Sequence, residues 1–211
     1  METVIILAII IVAYLMMAAK RIASLVSAFR LQSFLLFVYT LIEAIKQRNT
    51  ELYIVALLLF VLKVVLIPSI LAKIVRKIKV NENLGLFVNV QLSLIIGLGF
   101  TYCSWIFSRM VVPQQEPFMA IALTASFTVT LAGMFIMIFR MKALSQTVGL
   151  LVMENGIFLL GASIAGGMPF FVEIAIFMDV LISVIILNVF VHRINKLFTH
   201  IDAGKLNQLK G

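Results

Sequence analysis

Seven apolar stretches follow one another along the chain, separated by short polar turns. They run from Val4 to Ala19, Leu31 to Ile45, Leu52 to Ile74, Leu86 to Phe107, Phe118 to Phe139, Ala143 to Ala165 and Pro169 to Val191. About 20 apolar residues carry a helix across the hydrocarbon core of a bilayer, so each stretch reads as one span. The second is short when counted from Leu31, but its helix extends back to Ile22 if Arg30 snorkels toward the headgroups. Pro113 and Pro117 mark one turn, and Ala165-Gly-Gly-Met-Pro169 marks a tighter one. The pattern predicts an all-α, polytopic transmembrane helix bundle of about seven helices.

The spans group into an N-terminal three-helix unit over 1–80, two central helices over 81–142, and a C-terminal helix pair with a polar, basic tail over 143–211. A weak repeat runs through this order. Ala28-Phe-Arg-Leu-Gln-Ser33 precedes the second span and Ile138-Phe-Arg-Met-Lys-Ala143 precedes the sixth. In each unit the next span carries a central charge, Lys63 in the third and Asp179 in the seventh. Both units run in the same direction, which makes the repeat parallel.

Composition strengthens the membrane reading. The chain is 63% hydrophobic with a mean hydropathy of +1.17, against about 45–50% apolar residues in soluble domains. The first stretch lacks a basic region before it and reads as a retained helix. If the N-terminus faces outside, thirteen of the seventeen Lys and Arg residues fall on the inner side and three on the outer, with Lys63 in the membrane. That bias predicts N-terminus out and C-terminus in. The net charge of +8 therefore reflects topology, and no basic groove with interleaved aromatics points to nucleic acid. The one cysteine, Cys103, lies in an apolar run and reads as a buried small hydrophobe. No nucleophile–base pair, metal-ligand spacing or glycine-rich phosphate loop is present, so the chain shows no catalytic site of its own.

Charges inside spans are the informative residues. Glu154 and Asn155 sit near the centre of the sixth span. An acid at that depth costs about 2.5–3.5 kcal/mol on insertion scales, so it needs a partner, a proton or a hydrated cavity. Burial favours the neutral form of an acid, which would let it exchange a proton near neutral pH. Gly149, Gly156 and Ser163 recur at seven-residue spacing and form a small-residue seam on the same helix. Lys63 lies midway along the third span, shortly before Pro68, which would free the carbonyl of Val64. Pairing with Glu43, Glu154 or Asp179 would offset both burial costs. Asp179 stands about ten residues into the seventh span with Ser183 one turn on, and Glu173 lies nearer its outer end. Glu154, Asp179, Lys63 and Glu43 are the candidates for a proton or cation path, with Asn155, Ser183 and Glu173 as supporting polar groups. Asn89 and Gln91 read as interhelical hydrogen-bond partners.

Gly149-Leu-Leu-Val-Met-Glu-Asn-Gly156, Phe171-Val-Glu-Ile-Ala175 and Asp179 resemble the membrane component E of the hydrogenase-4 type. Leu62-Lys-Val-Val-Leu-Ile-Pro68 and the tail from Asp202 to Gly211 match the same pattern. The resemblance covers most of the chain. It implies an auxiliary membrane subunit of a group 4 membrane-bound [NiFe]-hydrogenase or formate hydrogenlyase complex, in a prokaryotic inner membrane. It also implies antiporter-like neighbours, and a Ni–Fe centre with iron–sulfur clusters held by partner subunits; this chain would hold no cofactor. Spans five to seven are similar to the small three-helix membrane subunit of complex I. There Leu151 replaces the first of that subunit's two glutamates and Glu154 follows one turn later. The expected function is non-catalytic: buried charges that contribute to ion translocation coupled to redox chemistry elsewhere. The alternatives are a structural spacer that docks antiporter-like subunits and a free-standing secondary transporter.

Overall fold

The computed structural model describes residues 2–77, 88–112 and 116–164, all within one unit, Met1–Ile176. The predicted seventh span and the tail, with Glu173, Asp179 and Ser183, lie outside the described residues. Regular structure among the described residues is helical: α1 Glu2–Ala18, α2 Ile22–Gln47, α3 Thr50–Leu59, a π-helical stretch Phe60–Leu66, α4 Ile67–Lys77, α5 Val90–Val111, α6 Pro117–Phe139 and α7 Ala143–Ile164. Five membrane-length apolar helices result, because α3, the π-helical stretch and α4 run on as one rod over Thr50–Lys73. The shorter α1, 17 residues, sits at the lower limit for a span.

Several boundaries follow from local chemistry. Helix α2 does extend back to Ile22, with Arg30 exposed on its surface. It ends where Arg48 takes a left-handed conformation with φ of 50°, and Asn49 then accepts the Glu51 N–H to start α3. Helix α6 begins on Pro117, whose missing N–H is harmless in a first turn. Within α6, the hydroxyls of Thr124, Ser126, Thr128 and Thr130 each donate to the carbonyl four residues back, at 2.7–2.8 Å. Polar side chains are thereby buried at little cost.

The most extensive helix pair is α6 with α7. Its basis is the predicted small-residue seam, completed by Gly133 on α6. A Cβ on Gly149 would lie 2.7 Å from the Met137 nitrogen and 2.8 Å from the Gly133 oxygen. A Cβ on Gly156 would meet the Thr130 nitrogen at 2.6 Å. The two backbones touch, which only glycine permits. Helix α1 packs on α2, α5 and α6, and α2 also contacts the α3–α4 rod and α7.

Two expectations change. Cys103 is exposed, because α5 turns only a narrow stripe inward, Ser93, Gly97, Ser104 and Ser108, and presents the rest of its apolar surface outward. Asn89 and Gln91 are exposed at the start of that helix, where the Asn89 carbonyl accepts the Ser93 N–H and hydroxyl. The two repeated motifs also occupy different places. Arg30 is exposed within α2, whereas Arg140 lies between α6 and α7 and is 1% exposed. Arg140 donates through Nη2 to the Met17 carbonyl in the last turn of α1, joining the α1–α2 and α6–α7 turns at one end of the bundle. Burial pushes its guanidinium down to about 10.

Candidate functional site

Lys63 is the starting point. It stands in the middle of the π-helical stretch, where the Ile67 N–H reaches back five residues to the Leu62 carbonyl. Pro68 explains the wider turn: its ring would clash with the Val64 carbonyl four residues before it, and it has no N–H to offer. Single π turns of this kind recur at functional sites. The sequence signalled a perturbation at Pro68 but not its form.

The π-helical stretch packs against α2 and directs Lys63 toward α7, where consecutive residues receive it. The Lys63 ammonium is 3.5 Å from Glu154 Oε2 and donates to Asn155 Oδ1 at 3.1 Å. The side chains are 1% and 3% exposed for Lys63 and Glu154. Adjacent residues on a helix diverge by about 100°, so the ammonium sits in the notch between the two side chains. Asn155 then turns its amide nitrogen to α2, donating to Gln32 Oε1 at 3.3 Å and to Ser33 Oγ at 3.2 Å. Gln32 Nε2 donates in turn to the Ile9 carbonyl of α1, at 3.5 Å. One polar network thus connects α1, α2, the π turn and α7 through the middle of the bundle.

Of the carboxylates proposed as partners for Lys63, the described residues bring Glu154 to it. Glu43 stands elsewhere. It accepts from Gln47 Nε2 at 3.2 Å and lies 3.9 Å from Lys46, which also pairs with Glu2. That cluster clamps the start of α1 to the end of α2, about 15 Å along the helix from Ser33. Asp179, Glu173 and Ser183 lie outside the described residues.

Gln32 and Ser33 are members of the network that sequence reasoning missed. Counting the second span from Leu31 puts them at a helix end, where polar residues are ordinary. Once α2 starts at Ile22 they are buried, 0% exposed, and about 15 Å into the helix. The available signal was the snorkelling of Arg30, which lengthens the span.

The site has a carboxylate, an ammonium and an amide in a closely packed, buried interior. There the ammonium and the carboxylate compensate each other's charge, and the amide holds the ammonium between them. No trio of His, Cys, Asp or Glu able to hold a metal ion occurs among the described residues.

The chain is 29% identical over 171 residues to the uncharacterized protein Rv0085 of Mycobacterium tuberculosis (strain H37Rv), covering 81% of this chain and 78% of that one. It is likewise 29% identical over 156 residues to hydrogenase-4 component E of Escherichia coli K12, covering 72% of this chain and 70% of that protein. The same identity and coverage hold for hydrogenase-4 component E of Shigella flexneri. No protein-family model matches the chain. No solved structure matches it. The chain is thus distantly similar, over most of its length, to hydrogenase-4 component E.

Proposed function

We propose that this chain is a non-catalytic membrane subunit of a hydrogenase-like complex, and that the Lys63–Glu154–Asn155 cluster takes part in moving protons or cations through it. The distant similarity to hydrogenase-4 component E supports the first part. The observation that carries the second is an ammonium and a carboxylate 3.5 Å apart, both nearly inaccessible, at mid-span depth.

An acid–base pair in this setting has two states that differ by one proton. In one, Lys63 and Glu154 are both charged and attract across a low-dielectric gap. A proton arriving on Glu154 neutralises the carboxylate and leaves the ammonium to Asn155. Departure of that proton restores the pair. A change of charge in a neighbouring subunit biases the exchange through the field it exerts on both groups. The π turn under Lys63 supplies local slack for the side chain to shift. In this reading Asp179, with Glu173 and Ser183, continues the path, and Glu43 stands near its outer end. Antiporter-like subunits are the neighbours, and the redox metal centres belong to other subunits of the complex.

The test is Glu154→Gln in the assembled complex. The amide keeps the shape and an acceptor for Lys63 but cannot exchange a proton. Assembly should persist while redox-driven ion movement is lost; normal pumping by that variant would refute the path. Repeating the measurement with Na⁺ removed identifies the ion.

A structural reading is favoured by the same network, since it ties four helical elements together. In that case the charges are fixed glue in a spacer that docks other subunits. Glu154→Gln would then reduce assembly and ion movement in the same proportion.

A further inference from the structure

A groove of about 1120 Å³ opens between the α1–α2 turn, the first half of α2 and the π-helical stretch. Its lining changes character along its length. At one end are Lys20 and Arg21, with Ser24 and Ser27 following on α2 and Arg30 beyond them. At the other are Leu15, Leu31, Phe34 and Val64. Ser24, Ser27, Leu31 and Phe34 recur at three- and four-residue spacing, so they form one stripe on α2, hydroxyls first and hydrocarbon after.

Among the described residues, no acid compensates the charge of the polar end. Lys20, Arg21 and Arg30 are exposed, no acidic residue lines the groove, and none of the three makes an ion pair among the described residues. The N-terminus of α2 adds to this charge. Arg21 occupies its cap position without a side-chain cap bond, and the first turn carries no acid. The free N–H groups and the positive end of the helix dipole therefore face the same space as Lys20 and Arg21, with Arg30 about 13 Å further along α2. These residues stand on the side that the charge bias assigns to the cytoplasm.

We propose that this groove is a binding site for an anionic phospholipid, such as phosphatidylglycerol. Its phosphate lies against Lys20, Arg21 and the N-terminus of α2, with Ser24 and Arg30 as further donors. One acyl chain runs along Leu31 and Phe34 toward Val64. The apolar half of the groove is what selects a lipid over a free phosphate: Leu15 and Leu31 are 56% and 48% exposed there and give an alkyl chain a wall to cover. Basic pockets on the cytoplasmic side of transmembrane helices bind acidic headgroups in this manner. The chain end would rest beside Val64, the residue after Lys63, so the site adjoins the π turn.

The test is native mass spectrometry of the full-length chain released from micelles containing equal phosphatidylglycerol and phosphatidylcholine of matched acyl chains. One phosphatidylglycerol per chain should be retained preferentially. Lys20→Gln, Arg21→Gln and Arg30→Gln should each weaken retention about fivefold, while Arg48→Gln at the opposite end of α2 should leave it unchanged. Ser27→Trp fills the groove without removing charge and should also expel the lipid, which tests the groove separately from its charge. Equal retention of phosphatidylcholine, unchanged retention in the glutamine variants, or displacement by millimolar inorganic phosphate would each overturn the proposal. In the intact complex, a photoreactive group at position 27 should label lipid; labelling of another polypeptide would show that a protein fills the groove instead.

Discussion

Lys63 and Asn155, 92 positions apart in the chain, meet at 3.1 Å inside the helix bundle. The contact uses one end of the Asn155 amide, and the other end binds Gln32 and Ser33. A single side chain therefore orients the ammonium of the π turn relative to α2 and leaves Glu154, its neighbour, to supply the opposing charge. Any motion of α7 about its axis would change the distances to Lys63 of both residues.

Breaking this pair from one side should cost far more than removing it whole. Lys63→Met or Glu154→Leu strands a buried charge and should each destabilise the chain by about 3–5 kcal/mol. The double variant should recover most of that loss, since two apolar groups then fill the space. Unfolding of the four proteins in mixed micelles gives the coupling directly. Losses that simply add would mean the two side chains do not stabilise one another.

The α6–α7 seam predicts a sharp contrast among glycines. Gly149→Ala and Gly156→Ala place a methyl group against backbone atoms at 2.6–2.8 Å, so the helices must separate, at about 1–3 kcal/mol each. Gly161→Ala on the same helix meets nothing within 4 Å and should be neutral or stabilising by up to about 1 kcal/mol. Thermal unfolding of the purified chain ranks them. A loss at Gly161 equal to that at Gly156 would contradict the seam.

The Glu2–Lys46–Glu43 cluster should matter little to stability. Lys46 is 54% exposed in its side chain, and pairs of this kind contribute about 0–1 kcal/mol. Glu43→Gln should shift stability within that range, and the shift should shrink as salt rises. A loss several times larger would place Glu43 in a role that its described contacts do not explain.

Arg140 makes a pH prediction outside the spans. Its folded value, lowered by burial to about 10, means that the fold resists its charge. The unfolded chain binds the proton more tightly, so stability rises with pH once the folded value is passed. Relative to Arg140→Gln, which carries no charge to titrate, the wild type should gain stability above pH 10 and run parallel to it below. Equal slopes through pH 11 would show that the guanidinium stays charged in place.

How much of this could be read beforehand differs by level. The amino-acid sequence alone determined the number and approximate limits of the described spans, because the length of an apolar run is set by bilayer thickness and needs no partner. It also singled out Lys63, Glu154 and Asn155, since a charge or amide amid hydrocarbon stands out wherever it points. The seam of Gly149 and Gly156 was legible too, as small residues at regular spacing. Tertiary structure decided which acid meets Lys63, that Gln32 and Ser33 join the network, that Glu43 belongs to a separate clamp, that Arg140 is buried and that Cys103 faces outward. The physical reason is the solvent. In water, a helix reveals its inner face by the polarity of its outer one. In a bilayer both faces are apolar, as in α1, where buried Ile6, Ile9 and Ile10 alternate with exposed Leu7 and Ile11. The direction in which each helix looks is then set by close packing and hydrogen bonds between helices, which exist only once the bundle has formed.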